Sequence, residues 1–282
     1  MGSLPFGWRC NILTSEVIES ASMRWKRIVL RMVSELSRLS NVSMKPAKGL
    51  RVLLYHSIGT TPPDDPLGIF SIDIDTFEQH MAALSSCDET LVVKLRDLSK
   101  DADSLEVAVT FDDGYKDNLY NVAPVMERYS IPFTVFVTAS YINKNCSIYL
   151  TPLELRKLSS FPFVTIGSHG LTHKRLTECN SDMLRNELVS SRHILEDITG
   201  NAVTTLSYPH GAVDKRVKDA AEKAGYLLAA CSRFDINDAS RDPLLLCRTE
   251  ITGNDSIRVF KQKLHGDWDW YRWRRKDPAL IC

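Results

Sequence analysis

The chain has 282 residues, 44% of them hydrophobic, and its 35 basic and 35 acidic side chains cancel at neutral pH. That length and apolar content suit one large domain with a sizeable core, and no polar or low-complexity tract points to disorder. The charge balance gives no global pull toward nucleic acid, so none is expected as a partner.

Residues 1–22 lack an uninterrupted apolar run followed by a small-residue cleavage site, so neither a signal peptide nor a transmembrane helix is expected. Residues 23–39 predict an amphipathic helix. Trp25, Ile28, Val29, Met32, Val33, Leu36 and Leu39 recur at helical spacing, while Arg24, Lys26, Arg27, Arg31 and Arg38 are basic. Such a stripe suits packing on the domain or an over-extended reading frame, the favoured readings; the alternative is peripheral contact with an anionic membrane. Residues 44–49, with Pro46, read as a linker, so the expected organisation is an extension over 1–49 and a catalytic domain over 50–282. Seven scattered cysteines without a Cys-x-x-Cys pair argue for reduced thiols in a cytosolic protein rather than a disulfide framework or thiolate zinc site.

From Arg51 onward, strand-like and helix-like runs alternate. Residues 52–55 form a short apolar strand ending at His56, and Phe77, Met81 and Leu84 make a helical stripe. Residues 106–111 read as a strand, Val122, Val125, Met126 and Tyr129 as a helical face, and residues 133–137 as the clearest strand. A further apolar run covers 163–166, and a long helix over 183–198 stops at Gly200. A strand at 204–208, a helix at 215–224 and a strand at 246–251 follow; Asp255 or Ser256 would cap a last helix. Periodicity alone therefore predicts an α/β protein with a parallel sheet, and no fixed repeat supports a solenoid. His80 and His193 are expected as surface or groove residues on helices, and His265 in a surface turn. The aromatic and basic segment 268–276 is expected to lay its rings on the barrel exterior with its charges solvated.

Chemistry concentrates in two places. Thr110-Phe111-Asp112-Asp113-Gly114-Tyr115 puts paired carboxylates straight after an apolar strand, where parallel-sheet proteins build active sites. Gly167-Ser168-His169-Gly170-Leu171-Thr172-His173 puts two histidines four residues apart after another apolar run. An Asp-Asp-Gly alone is ordinarily a solvated turn, and a lone histidine pair is often two unrelated side chains. Together they supply one carboxylate and two imidazoles for a single metal, with coordination positions left for water and substrate.

These motifs resemble those of the polysaccharide deacetylase family, the NodB-homology carbohydrate esterases (carbohydrate esterase family 4). The resemblance covers residues 51–251. It implies that Asp112 is the general base and that Asp113, His169 and His173 hold the metal. Leu206-Ser207-Tyr208-Pro209-His210-Gly211 is similar to the family's third motif, which implies that Tyr208 and Pro209 wall the groove and that the His210 backbone N–H meets the oxyanion. Tyr55-His56 and Arg248-Thr249-Glu250-Ile251 resemble segments of the subgroup containing biofilm poly-N-acetylglucosamine deacetylases, which implies His56 as the general acid. Three positions depart from the pattern. Gly170 stands where Ser or Thr is usual, Ser207 where an Arg often holds the base, and His210 where Tyr is usual. Arg248 is the expected substitute for that missing cation.

The resemblance sharpens the fold to an irregular, incomplete (β/α) barrel. It implies a metal-dependent hydrolase removing N-acetyl groups from amino-sugar units of a polysaccharide or lipid-linked glycan. The nitrogen-oxygen ligand set favours zinc, with cobalt or nickel also suitable. Hydrolysis of another sugar acyl amide or an O-acetyl ester, and a catalytically idle glycan-binding module, are the alternatives. Tyr115 and Asp117 read equally as site residues or, for Asp117, as a helix cap.

Overall fold

The structure is a computed structural model describing residues 29–30, 32–36, 48–63, 65–88, 90–95, 104–142, 148–274, 276–280 and 282. The chain divides into two compact units, Met1–Met44 and Lys45–Cys282. In the first, residues 29–30 and 32–36 are helical, and Val29, Met32 and Leu36 are exposed. The rest of the expected 23–39 helix and most of the 44–49 linker lie outside the described residues. No helix among the described residues is long and apolar enough to cross a membrane.

The second unit alternates strands and helices. In order they are β1 (Gly49–Tyr55), β2 (Ser57–Ile58), β3 (Ser71–Ile72), α1 (Ile74–Ser85), β4 (Thr90–Val92), β5 (Leu105–Phe111) and α2 (Ala123–Arg128). There follow β6 (Phe133–Val137), α3 (Pro152–Ser159), β7 (Val164–Ser168), α4 (Ser181–Thr199), β8 (Thr205–Ser207), α5 (Lys215–Lys223), β9 (Leu228–Ala230), β10 (Thr249–Glu250) and α6 (Ile257–His265). The main sheet runs β10-β1-β5-β6-β7-β8-β9, with β4 also paired to β5, and every ladder is parallel. It curls into an irregular, incomplete (β/α) barrel. Because all strands point one way, their C-terminal ends open on one mouth, where chemistry-bearing residues can collect.

Burial explains the sequence pattern. β1, β5 and β6 are buried along their whole length, so they read as continuous apolar runs rather than alternating ones. Tyr55, Phe77 and Phe111 pack ring to ring beneath the mouth. The helices start where short polar side chains can satisfy free N–H groups. Asp73 accepts from Thr76 N at α1, Thr151 and Glu154 form a capping box at α3, and Asn180 accepts from Met183 N at α4. Ser256, of the two candidates, caps α6; Asp255 instead takes the ammonium of Lys263.

Four expectations need correction. His80 is fully buried, not superficial: its ring lies flat on Phe260 at 4.3 Å, filling the seam between α1 and α6. Asp117 makes no helix cap; it is buried and accepts from Ser57 Oγ (2.7 Å), Ile58 N (3.0 Å) and Asn118 Nδ2 (3.0 Å), tying β2 to the segment after β5. In the aromatic tail, Asp269 is not a solvated charge but forms a two-pronged pair with the fully buried Arg51 at 2.9 Å per prong. Trp268 is buried there too, whereas Trp273 is 81% exposed. The predicted strand 246–251 shortens to β10, because Asn237 takes up the backbone of Cys247 on both sides (2.7 and 2.9 Å) and also bonds Leu50 O.

Candidate active site

Three strand ends supply the candidate residues. Asp112 and Asp113 follow β5, His169 follows β7, and His56 follows β1. The chain must turn sharply after β5, and Asp113 and Gly114 both take left-handed backbone conformations (φ 74° and 80°). Gly114 is required there on a second count: a Cβ would lie 2.9 Å from Val137 Cγ1. The turn aims the two adjacent carboxylates differently: Asp112 meets Arg248 and Asp113 faces His173, while both lie near His169 Nε2 (3.7 and 3.6 Å).

Asp112 is gripped by Arg248. The guanidinium donates Nη1 to Oδ1 and Nη2 to Oδ2, both at 2.8 Å, and both side chains are buried. Ser207 Oγ donates to Asp112 Oδ2 (3.1 Å) while accepting from Arg248 Nη2 (2.8 Å). Arg248 is itself fixed by donating Nε to Cys231 O (3.0 Å). Burial pulls the Asp112 carboxyl toward its neutral form, but the charge and hydrogen bonds of Arg248, aided by His169 and His56, hold it well below the usual carboxylate range.

Asp113, His169 and His173 converge on one point. Their ligand atoms lie within 4.8 Å of one another, with Asp113 Oδ1 at 3.6 Å from His169 Nε2 and 3.4 Å from His173 Nε2. Asp113 Oδ1 is buried and has no hydrogen-bond partner among the described residues, a costly state for a carboxylate oxygen unless a cation sits beside it. His169 donates Nδ1–H to the Ser207 carbonyl (2.8 Å), which fixes its tautomer and leaves Nε2 as a bare lone pair. Burial also pushes His169 down, outweighing the upward pull of Asp112 and Asp113, so the neutral, ligating imidazole is favoured. The donor set and the orphaned oxygen fit one divalent cation.

The other sequence candidates fall at varying depth. His56 is half-buried, its ring 4.9 Å from Phe70, with Nδ1 unpartnered among the described residues. His210 stands beside His173, ring centroids 4.5 Å apart, donates Nε2 to His173 O (3.2 Å), and has a left-handed φ of 60°. Pro209 is buried, and Tyr208 turns into the core, donating its hydroxyl to Leu244 O (3.0 Å). Tyr208 thus braces the third motif from behind. Sequence reasoning did not single out Glu187. Its signal was available: it sits with Leu184, Leu188, Ser191 and Leu195 on the buried stripe of α4, where a carboxylate demands an explanation.

A family profile described as polysaccharide deacetylase matches residues 99–229. YxkH of Bacillus subtilis (strain 168), which carries a provisional polysaccharide deacetylase name, is 29% identical over 203 residues, 70% of this chain and 68% of that one. Residues 99–229 thus make up a polysaccharide deacetylase domain. A second relative, the peptidoglycan-N-acetylglucosamine deacetylase PgdA of Listeria monocytogenes, is 28% identical over 128 residues, 45% of this chain but only 26% of PgdA. The fold is shared with the Streptococcus pyogenes deacetylase PplD, solved with acetate, at a TM-score of 0.67 and 20% identity over 78% of this chain and 99% of that one. Asp112, Asp113, His169, His173 and Ser207 lie inside the matched span; His56 and Arg248 lie outside it.

Proposed function

We propose that the chain removes N-acetyl groups from amino-sugar units of a polysaccharide or lipid-linked glycan, with one divalent cation, zinc first, held by Asp113, His169 and His173. The observation carrying this reading is the buried, unpartnered Asp113 oxygen facing two imidazole nitrogens, beside a second carboxylate held ionised by Arg248. PgdA is named for an N-acetylglucosamine substrate, which supports an N-acetylated amino sugar here.

A bound cation would acidify water and polarise the acetyl carbonyl. The protein's own groups would do the rest. Asp112, both of whose oxygens accept from Arg248, accepts the proton of the attacking water. The His210 backbone N–H, set by Pro209, supports the oxyanion. His56, at the mouth end of β1, donates a proton to the departing amine. The charge of Arg248 keeps Asp112 ionised and its paired hydrogen bonds keep it aimed, which makes Arg248 a positioning residue.

Metal analysis followed by acetate release from chito-oligomers tests the reading. Wild type should hold about one divalent ion per chain and release acetate. Asp112→Asn should keep the ion while turnover drops about 10²- to 10⁴-fold. Metal-loaded protein that frees acetate from no N-acetylated glycan would refute the deacetylase assignment; undiminished turnover by Asp112→Asn would refute the choice of base.

A further inference from the structure

Between the two histidines the chain turns through Gly170, Leu171 and Thr172, and that turn is held by a carboxylate from another element. Glu187, buried on α4, accepts from Leu171 N (2.8 Å) and Thr172 N (2.9 Å) through Oε2, and from the Thr172 hydroxyl through Oε1. On its other side the turn is tied by Ala139 N to Gly170 O (3.1 Å) and Ser140 N to Leu171 O (2.8 Å). The clamp continues below: Gly170 N donates to Ser168 Oγ (3.2 Å), Ser168 Oγ to Ser191 Oγ (2.9 Å), and Ser191 Oγ to Glu187 O (2.7 Å).

We infer that Glu187 is a positioning residue for the metal triad, setting the separation and aim of His169 and His173 through the turn that joins them. Two features of the turn lead there. His173 is left-handed (φ 62°), a conformation disfavoured for a residue with a Cβ and maintained only if its neighbours are pinned. Gly170 also fits the clamp: its φ is 75°, and a Cβ there would stand 3.3 Å from Glu187 Oε2 and 3.4 Å from Pro209 Cγ. A larger residue at 170 would crowd the carboxylate, so glycine at 170 and glutamate at 187 suit one another. Where a side chain next to the first histidine is missing, a carboxylate from α4 organises the turn instead.

The inference rests on the metal reading above, and binding rather than turnover tests it. Zinc affinity of wild type, Glu187→Gln and Thr172→Val is measured by chelator competition, and the melting temperature of each metal-free protein is recorded alongside. Glu187→Gln keeps the size but loses one acceptor, and zinc affinity should fall about 10- to 100-fold, as when other supporting partners of metal ligands are removed. Its metal-free melting temperature should stay near that of wild type, because the lost contacts order a turn rather than the core. Thr172→Val, which removes only the hydroxyl, should cost about fivefold in affinity. Wild-type affinity in folded Glu187→Gln overturns the proposal. Should that variant not fold, Thr172→Val decides, and unchanged affinity there overturns it. Wild-type protein that takes up no zinc would instead sink the metal assignment itself.

Discussion

At Asp112 two demands conflict. A base near a cation site must be sheltered from bulk water, yet a sheltered carboxylate tends to take up a proton. The fork of Arg248 resolves the conflict because it matches both carboxylate oxygens at 2.8 Å and brings Ser207 into the same network. A lysine offers a point charge without that planar match. Arg248→Lys is therefore expected to retain bound metal and lose about a hundredfold in kcat through a misaimed base, measured by steady-state deacetylation. Unchanged kcat would show that Arg248 serves only the core. Asp112, Asp113, His169 and His173 could be picked out in the sequence because each lies in a short segment where motif and strand end coincide. Arg248 was reached through the motif comparison, as the substitute for the missing Arg, because across a separation of 136 positions spacing alone says nothing of its contact with Asp112. Glu187 was hidden within an otherwise ordinary amphipathic helix.

At the level of elements, α1 and α6 meet through the stacked pair His80 and Phe260. The imidazole is packed against Tyr55, whose hydroxyl lies 3.4 Å from Nδ1, and Nε2 has no hydrogen-bond partner among the described residues. Burial lowers the His80 pKa from 6.5 to about 4, with Asp255 pulling the other way. The folded value lies below the unfolded one, so the contribution to stability is full above pH 6.5. It is lost as pH falls toward about 4, when the unfolded chain takes a proton that the folded chain refuses. Over that interval the loss should reach about 3 kcal/mol. Urea unfolding across pH 7 to about 4 should show this slope in wild type and a flatter one in His80→Gln; parallel slopes would rule it out. A sequence pattern places a histidine on a helix but does not reveal which helix from the far end of the chain will cover it. The same limit shortened the last strand: its apolar run was legible, whereas the Asn237 side chain that takes over the Cys247 backbone was not.

Across the whole molecule, the parallel barrel gathers the candidate ligands from the end of β5 and from the segment after β7 without any one element containing the site. The alternating runs made that architecture readable, because strands buried on both faces have few other sequence solutions. A site assembled this way couples ion binding to the fold. With free zinc about a hundred times its dissociation constant, linkage adds about 2.7 kcal/mol, which should raise the melting temperature by about 5–10 °C for a unit of this size. Calorimetry with and without a chelator measures the shift, and Asp113→Ala should abolish it. Equal midpoints in wild type would mean that the triad holds no ion.

The order in which these parts leave the ribosome has its own consequence. Asp113, His169 and His173 are all synthesised well before Arg248, and the partner that orients Asp112 sits at the seam where β10 joins β1. A chain interrupted between those points holds the three candidate ligands but lacks the guanidinium that the finished fold sets against both oxygens of Asp112.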